Sequence, residues 1–125
     1  MPLMDLAARV VIGLVAFLHV YFCVLEMFLW ATPYGQKTFA RSREEQEQSK
    51  VLAANQGLYN LFLAAGLVWS IVAGDGATAF PLRAFFLACV VVAGLYGGAT
   101  ASRKIFFVQA LPGAVALVLS VVARG

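Results

Sequence analysis

The sequence predicts an all-α fold, an integral membrane bundle of four transmembrane helices. Three observations predict it. Of the 125 residues, 62% are hydrophobic and only 12% are charged, about half the charged share that a water-soluble surface carries. Four stretches, residues 10–31, 51–73, 84–102 and 105–123, are each long enough to cross a hydrocarbon core of about 30 Å as a helix. None alternates apolar with polar residues over about ten positions, as a barrel strand would. Among these spans Glu26 is the only formal charge, and His19 the only other group that titrates near neutrality.

The first helix is expected over about 8–31. It is too long for the apolar core of a secretory signal, it contains Glu26, and no small-x-small cleavage site follows closely. A retained helix is the reading. Thr32-Pro33 and Gly35 break it and open the longest connection, residues 32–50. Ser42-Arg43-Glu44-Glu45 then reads as a capping box, starting the second helix, 43–73, in water before it enters the membrane near Val51. Gly74-Asp75-Gly76 is a turn, and Phe80-Pro81 opens the third helix, 81–102. Only Arg103-Lys104 separates the third span from the fourth helix, 104–123, which demands a tight antiparallel hairpin. Pro112 removes a backbone hydrogen bond and should kink the fourth helix beside Gln109. Connections this short make residues 1–125 one domain.

Charge sets the expected orientation. Arg9, Arg83 and Arg124 fall on the side of the termini; Lys37, Arg41, Arg43, Lys50, Arg103 and Lys104 fall on the other. Basic loops stay in the cytoplasm, so the termini are predicted outside a bacterial inner membrane. The basic residues are topology signals, not a nucleic-acid patch: they are mixed with Glu44, Glu45 and Glu47 and lack interleaved aromatics. Cys23 and Cys89 stand apart inside the spans with no metal-ligand spacing, which fits small apolar packing residues rather than a zinc site or disulfide.

Amides and carboxylates are the informative residues in an apolar helix. His19, Cys23, Glu26 and Trp30 recur at i, i+4, i+7 and i+11, one face of the first helix. Asn55, Gln56, Tyr59 and Asn60 cluster on one side of the second. Tyr96 and Thr100 lie one turn apart on the third, and Gln109 on the fourth. Counted at about 1.5 Å per residue, Glu26, Asn55, Tyr96 and Gln109 fall within roughly 7–10 Å of the cytoplasmic face. That common level predicts a polar pocket open to the cytoplasm, with His19 towards its floor. Interhelical hydrogen bonding without a ligand is the alternative for each amide. Trp30 and Tyr34 need no more than interfacial anchoring. Gly94-x-x-x-Gly98, with Gly97 and Ala101, lets the third helix approach another backbone, either within the bundle or at an oligomer seam.

Three segments carry a family resemblance. Glu26-Met27-Phe28-Leu29-Trp30, the run from Lys50-Val51-Leu52 through Asn55-Gln56-Gly57-Leu58-Tyr59-Asn60, and Gln109-Ala110-Leu111-Pro112 resemble domain-of-unknown-function family 1304. The resemblance covers essentially the whole chain. It implies a four-helix protein of the bacterial inner membrane and names no reaction. The layout is also similar to the membrane-associated eicosanoid and glutathione metabolism proteins, trimers of four-helix subunits with an Asn-rich motif on the second helix. Tyr59 stands roughly where that family has a glutamate, and its arginine pattern is missing here.

Together these readings give three classes of function. One is an enzyme of isomerase or transferase type acting on a lipophilic small molecule. Glu26 and His19 would be its acid/base pair, and Asn55, Gln56, Tyr59, Asn60, Tyr96, Thr100 and Gln109 would bind substrate. A second is a small-molecule exporter with Glu26 as its proton site, working as an oligomer. The third is a non-catalytic membrane binding or assembly subunit. Expected partners are the lipid bilayer, a lipophilic small molecule and further copies of the chain. No metal is expected and no cofactor is named; His19 is the only histidine that a haem could use.

Overall fold

A computed structural model of the chain describes residues 2–74 and 76–124, so Asp75 of the expected turn lies outside the described residues. The helices are α1 (Pro2–Met27), α2 (Pro33–Phe39), α3 (Arg43–Val72), α4 (Ala79–Thr100) and α5 (Leu111–Arg124), with a π-helical turn, Phe106–Ala110, leading into α5. Four segments are long and apolar enough to cross a membrane: α1, α3, α4 and Phe106–Arg124. Phe17, Val51, Leu52, Val72 and Phe107 lie largely exposed along them. Such side chains need lipid rather than water around them. The chain is an all-α, multi-pass membrane protein.

Local chemistry explains where the helices start and stop. Pro2 opens α1, since a first-turn residue needs no hydrogen-bonded N–H. Asp5 in the same turn suits the positive end of the helix dipole. Helix α1 therefore begins several residues before the expected start near residue 8. It ends at Met27, short of Thr32, and the chain then forms α2, a short helix within the expected connection 32–50. Thr32 caps it, accepting the Gly35 N–H at 3.3 Å, and Pro33 occupies the first helical turn. Ala40 closes α2 in the left-handed region, φ 52°. The Arg41 N–H then satisfies the Gln36 carbonyl at 3.0 Å. The capping box at α3 forms as expected. The Glu45 N–H donates to Ser42 Oγ at 3.2 Å, and the Ser42 N–H donates back to Glu45 Oε1 at 3.1 Å.

Contacts group the chain into two compact units, one of Phe17–Ala64 and one of Met1–Ala16 with Ala65–Gly125. The Phe17–Ala64 unit packs the C-terminal part of α1 on the N-terminal part of α3 through small residues. Gly57 permits the approach: a methyl there would lie 2.7 Å from Met27 Cγ and 3.1 Å from Glu26 Cβ. Trp30 closes the same unit. Its Nε1 donates to Ser49 Oγ at 3.0 Å, its carbonyl accepts Gln46 Nε2 at 2.9 Å, and its ring lies 4.6 Å from that of Phe39.

In the other unit, Ala8, Ile12, Val15, Leu67, Leu87, Val90 and Ala116 form the buried core. Glycines bring α4 against the last span. A methyl on Gly94 would meet the Ala110 backbone, one on Gly98 the Phe106 ring, and one on Gly113 the Val90 side chain at 2.8 Å. The small-residue spacing of α4 thus serves a contact inside this unit. The expected kink beside Gln109 takes the form of the π turn. The Leu111 N–H reaches back five residues to the Phe106 carbonyl, and the wider turn comes directly before Pro112, which has no N–H to give.

Candidate functional site

Glu26 is an acidic side chain of a membrane-capable helix, packed against a second helix. It stands in the last turn of α1 and is 8% exposed. Asn60 of α3 donates from Nδ2 to Glu26 Oε1 at 2.5 Å. Asn60 lies on the α3 face that also buries Ala53, Gly57 and Ala64, at the seven-residue spacing that keeps side chains on one stripe. Absence of a side chain at Gly57 lets α1 come close enough for the amide to reach the carboxyl. One turn before Glu26, the Cys23 thiol donates to the Met27 sulfur at 3.6 Å. His19, a further turn back, is 1% exposed, its ring edge-on to Phe22 at 5.4 Å. The first-helix face read from the sequence is therefore a packed face.

The remaining predicted residues divide. Asn55, Gln56 and Tyr59 are exposed while Asn60 points to α1, so the four polar residues of α3 do not share one environment. A helix turns 100° per residue, which carries Tyr59 off the packed stripe when Asn60 is on it. Tyr96 is 72% exposed, and Thr100 spends its hydroxyl proton on the Tyr96 carbonyl at 2.7 Å. Gln109 donates from Nε2 to the Val90 carbonyl at 3.3 Å, tying the π turn to α4. Tyr34 is exposed, and its hydroxyl shares a hydrogen bond with that of Tyr21. Glu26 and Asn60 are joined side chain to side chain across two helices.

Comparison with known sequences fits this picture. Residues 13–121 match the family described as Protein of unknown function (DUF1304). The chain belongs to this family. The match takes in the Glu26–Asn60 pair, the exposed amides of α3 and the π turn. A relative from Lactococcus lactis subsp. lactis (strain IL1403), "Uncharacterized protein YpaA", is 30% identical over 109 residues, covering 86% of this chain and 90% of that protein. No solved structure matches the chain.

Two polar groupings in this DUF1304 protein lie outside the predicted site residues. Gln46 is fully buried although it lies in the charged run before the second span, and it holds the Trp30 carbonyl. Nothing in Arg43-Glu44-Glu45-Gln46-Glu47 separates it from its solvated neighbours. Trp30 is consequently more than an interfacial anchor: it fastens the end of α1 to the start of α3. In the other unit, Asp5 accepts from Arg9 Nε at 2.6 Å and from Arg83 Nη1 at 2.8 Å. The Asp5–Arg9 part has a readable i, i+4 spacing. The Arg83 part spans 78 residues, and no local pattern announces it.

Proposed function

We propose that this DUF1304 protein binds a lipophilic small molecule at the polar centre built on Glu26 and Asn60, and moves a proton at Glu26. The observation that carries the reading is the hydrogen bond between them. A carboxyl within a membrane span is costly and is kept where it acts. The Asn60 amide fixes one carboxyl oxygen and so orients the group towards a bound partner, as a positioned acid or base requires. His19, on the same face of α1, is the second group able to take or give a proton there. An isomerisation or group transfer within a substrate that has an apolar body and a polar head fits this pair.

Asn55 and Gln56 support a homo-oligomer. They are exposed on α3 inside the apolar span, and amides facing hydrocarbon gain by meeting donors and acceptors on another helix. A second copy of the chain supplies them. The basic residues of the connections 32–50 and 103–104 favour a cytoplasmic location for those loops, with the termini outside an inner membrane.

The test is untargeted mass spectrometry of lipid extracts incubated with purified wild-type or Glu26→Gln protein. At least one lipophilic species should be depleted, with a product appearing, by the wild type alone. Identical extracts from the two proteins, both folded, would overturn the reading. A substrate-driven pH change across proteoliposomes would instead place the Glu26 proton in transport.

A further inference from the structure

Away from Glu26, the unit of Met1–Ala16 with Ala65–Gly125 holds an open recess of about 210 Å³, whose lining includes Asp5, Phe80, Arg83, Ser120 and Arg124. This is far more space than one water needs. Arg83 reaches it from α4 and is 4% exposed. One arm of its guanidinium donates to Asp5, while its Nε is buried with no hydrogen-bond partner. A buried guanidinium N–H left without an acceptor is unfavourable, and here it belongs to a side chain that borders a cavity.

The other donors point the same way. The Arg124 guanidinium carbon lies over the Phe80 ring, 4.2 Å from its centroid, and a cation–π contact of this kind does not use up N–H donors. Asp5, the one carboxylate among the described lining residues, is already shared between Arg9 and Arg83. Ser120 gives its proton to the Ala116 carbonyl at 2.8 Å. Among the described residues the recess therefore presents arginine donors and a surplus of positive charge. Planar guanidinium groups are matched by the paired oxygens of an oxyanion.

We infer that this recess binds a phosphate oxyanion, held between Arg83 and Arg124. The phosphate belongs to a phospholipid headgroup or to a small soluble phosphate. A site at the end of two spans, with apolar helix surface beside it, accommodates either source.

Native mass spectrometry of the detergent-solubilised protein tests this. The probes are phosphatidylglycerol, phosphatidylcholine and inorganic phosphate. Binding of phosphatidylglycerol at least tenfold tighter than phosphatidylcholine assigns a lipid headgroup. Retention of inorganic phosphate, with no such lipid preference, assigns a soluble ligand. Either binding should fall at least fivefold in Arg124→Gln, which leaves the Asp5–Arg83 pair intact, and further in folded Arg83→Gln. Retention of neither lipid and no phosphate bound, or binding unchanged in Arg124→Gln, would overturn the inference.

Discussion

Gly94 on α4 faces Ala110 in the π turn so closely that a methyl group on Gly94 would lie 2.6 Å from the Ala110 backbone nitrogen. Backbone cannot retreat as a flexible side chain can. Gly94→Ala should therefore destabilise the protein by about 1–3 kcal/mol, the usual cost of overpacking. Gly13 is the internal control. It lies in α1 with nothing within 4 Å of an added methyl, so Gly13→Ala should be neutral or stabilise by up to about 1 kcal/mol. Thermal unfolding in one detergent should lower the melting temperature of Gly94→Ala and leave that of Gly13→Ala unchanged or raised.

Glu26 and Asn60 can be separated by chemistry. Asn60→Leu removes the donor and leaves a buried acceptor unsatisfied, which costs about 1–3 kcal/mol. Glu26→Gln keeps an oxygen for the Asn60 amide to meet and should cost less. A double-mutant cycle by denaturant titration checks the coupling. Additive losses would show that the hydrogen bond contributes nothing to stability.

Arg83 depends on Asp5 for its counter-charge. Asp5→Ala leaves a buried guanidinium without its carboxylate, and breaking such a pair from one side costs up to about 3–5 kcal/mol. Asp5 is itself about one quarter exposed, so the loss should fall at or below the lower end of that range. Combining Asp5→Ala with Arg83→Leu should recover much of it, because no stranded charge remains. Melting temperatures of the single and double variants are the measurement.

Ala40 ends α2 with φ 52° and ψ 46°, a left-handed conformation that costs a residue with a Cβ about 1–2 kcal/mol. Glycine is at home there. Ala40→Gly should raise stability by about 1 kcal/mol, and its benefit should appear as slower proteolysis of residues 33–42.

How far the sequence disclosed this molecule depends on the range of the interaction. The four spans were legible because lipid solvation acts on every residue of a helix. The Ser42–Glu45 box was legible because its partners are three residues apart. Glu26 and Asn60 were both singled out, each as a polar residue at a costly place, though only coordinates pair them across 34 residues. The grouping of Asn60 with Asn55, Gln56 and Tyr59 was too coarse. Which of four neighbouring residues faces a partner is decided by the packed stripe of Ala53, Gly57 and Ala64, whose small side chains carry no chemical label. Helix α2 was hidden for a different reason: Thr32-Pro33 ends one helix and begins another, and the break alone is visible. The buried state of Gln46 and the Asp5–Arg83 link are purely tertiary.

The π turn has one more implication, and it concerns rotational phase. A stretch that closes every five residues rather than every four holds one residue beyond a regular helix, and each residue corresponds to about 100° of rotation. Everything from Leu111 onward is thereby aimed a quarter-turn or more from where an uninterrupted helix would point it. Gly113, Ala116 and Ser120 are the residues buried by that setting. Deleting a single residue between Phe106 and Ala110 would preserve composition, hydropathy and span length almost unchanged. The shortened turn would close as regular α-helix, and Gly113, Ala116 and Ser120 would keep the buried face they hold, because the wide turn is what absorbs the extra residue.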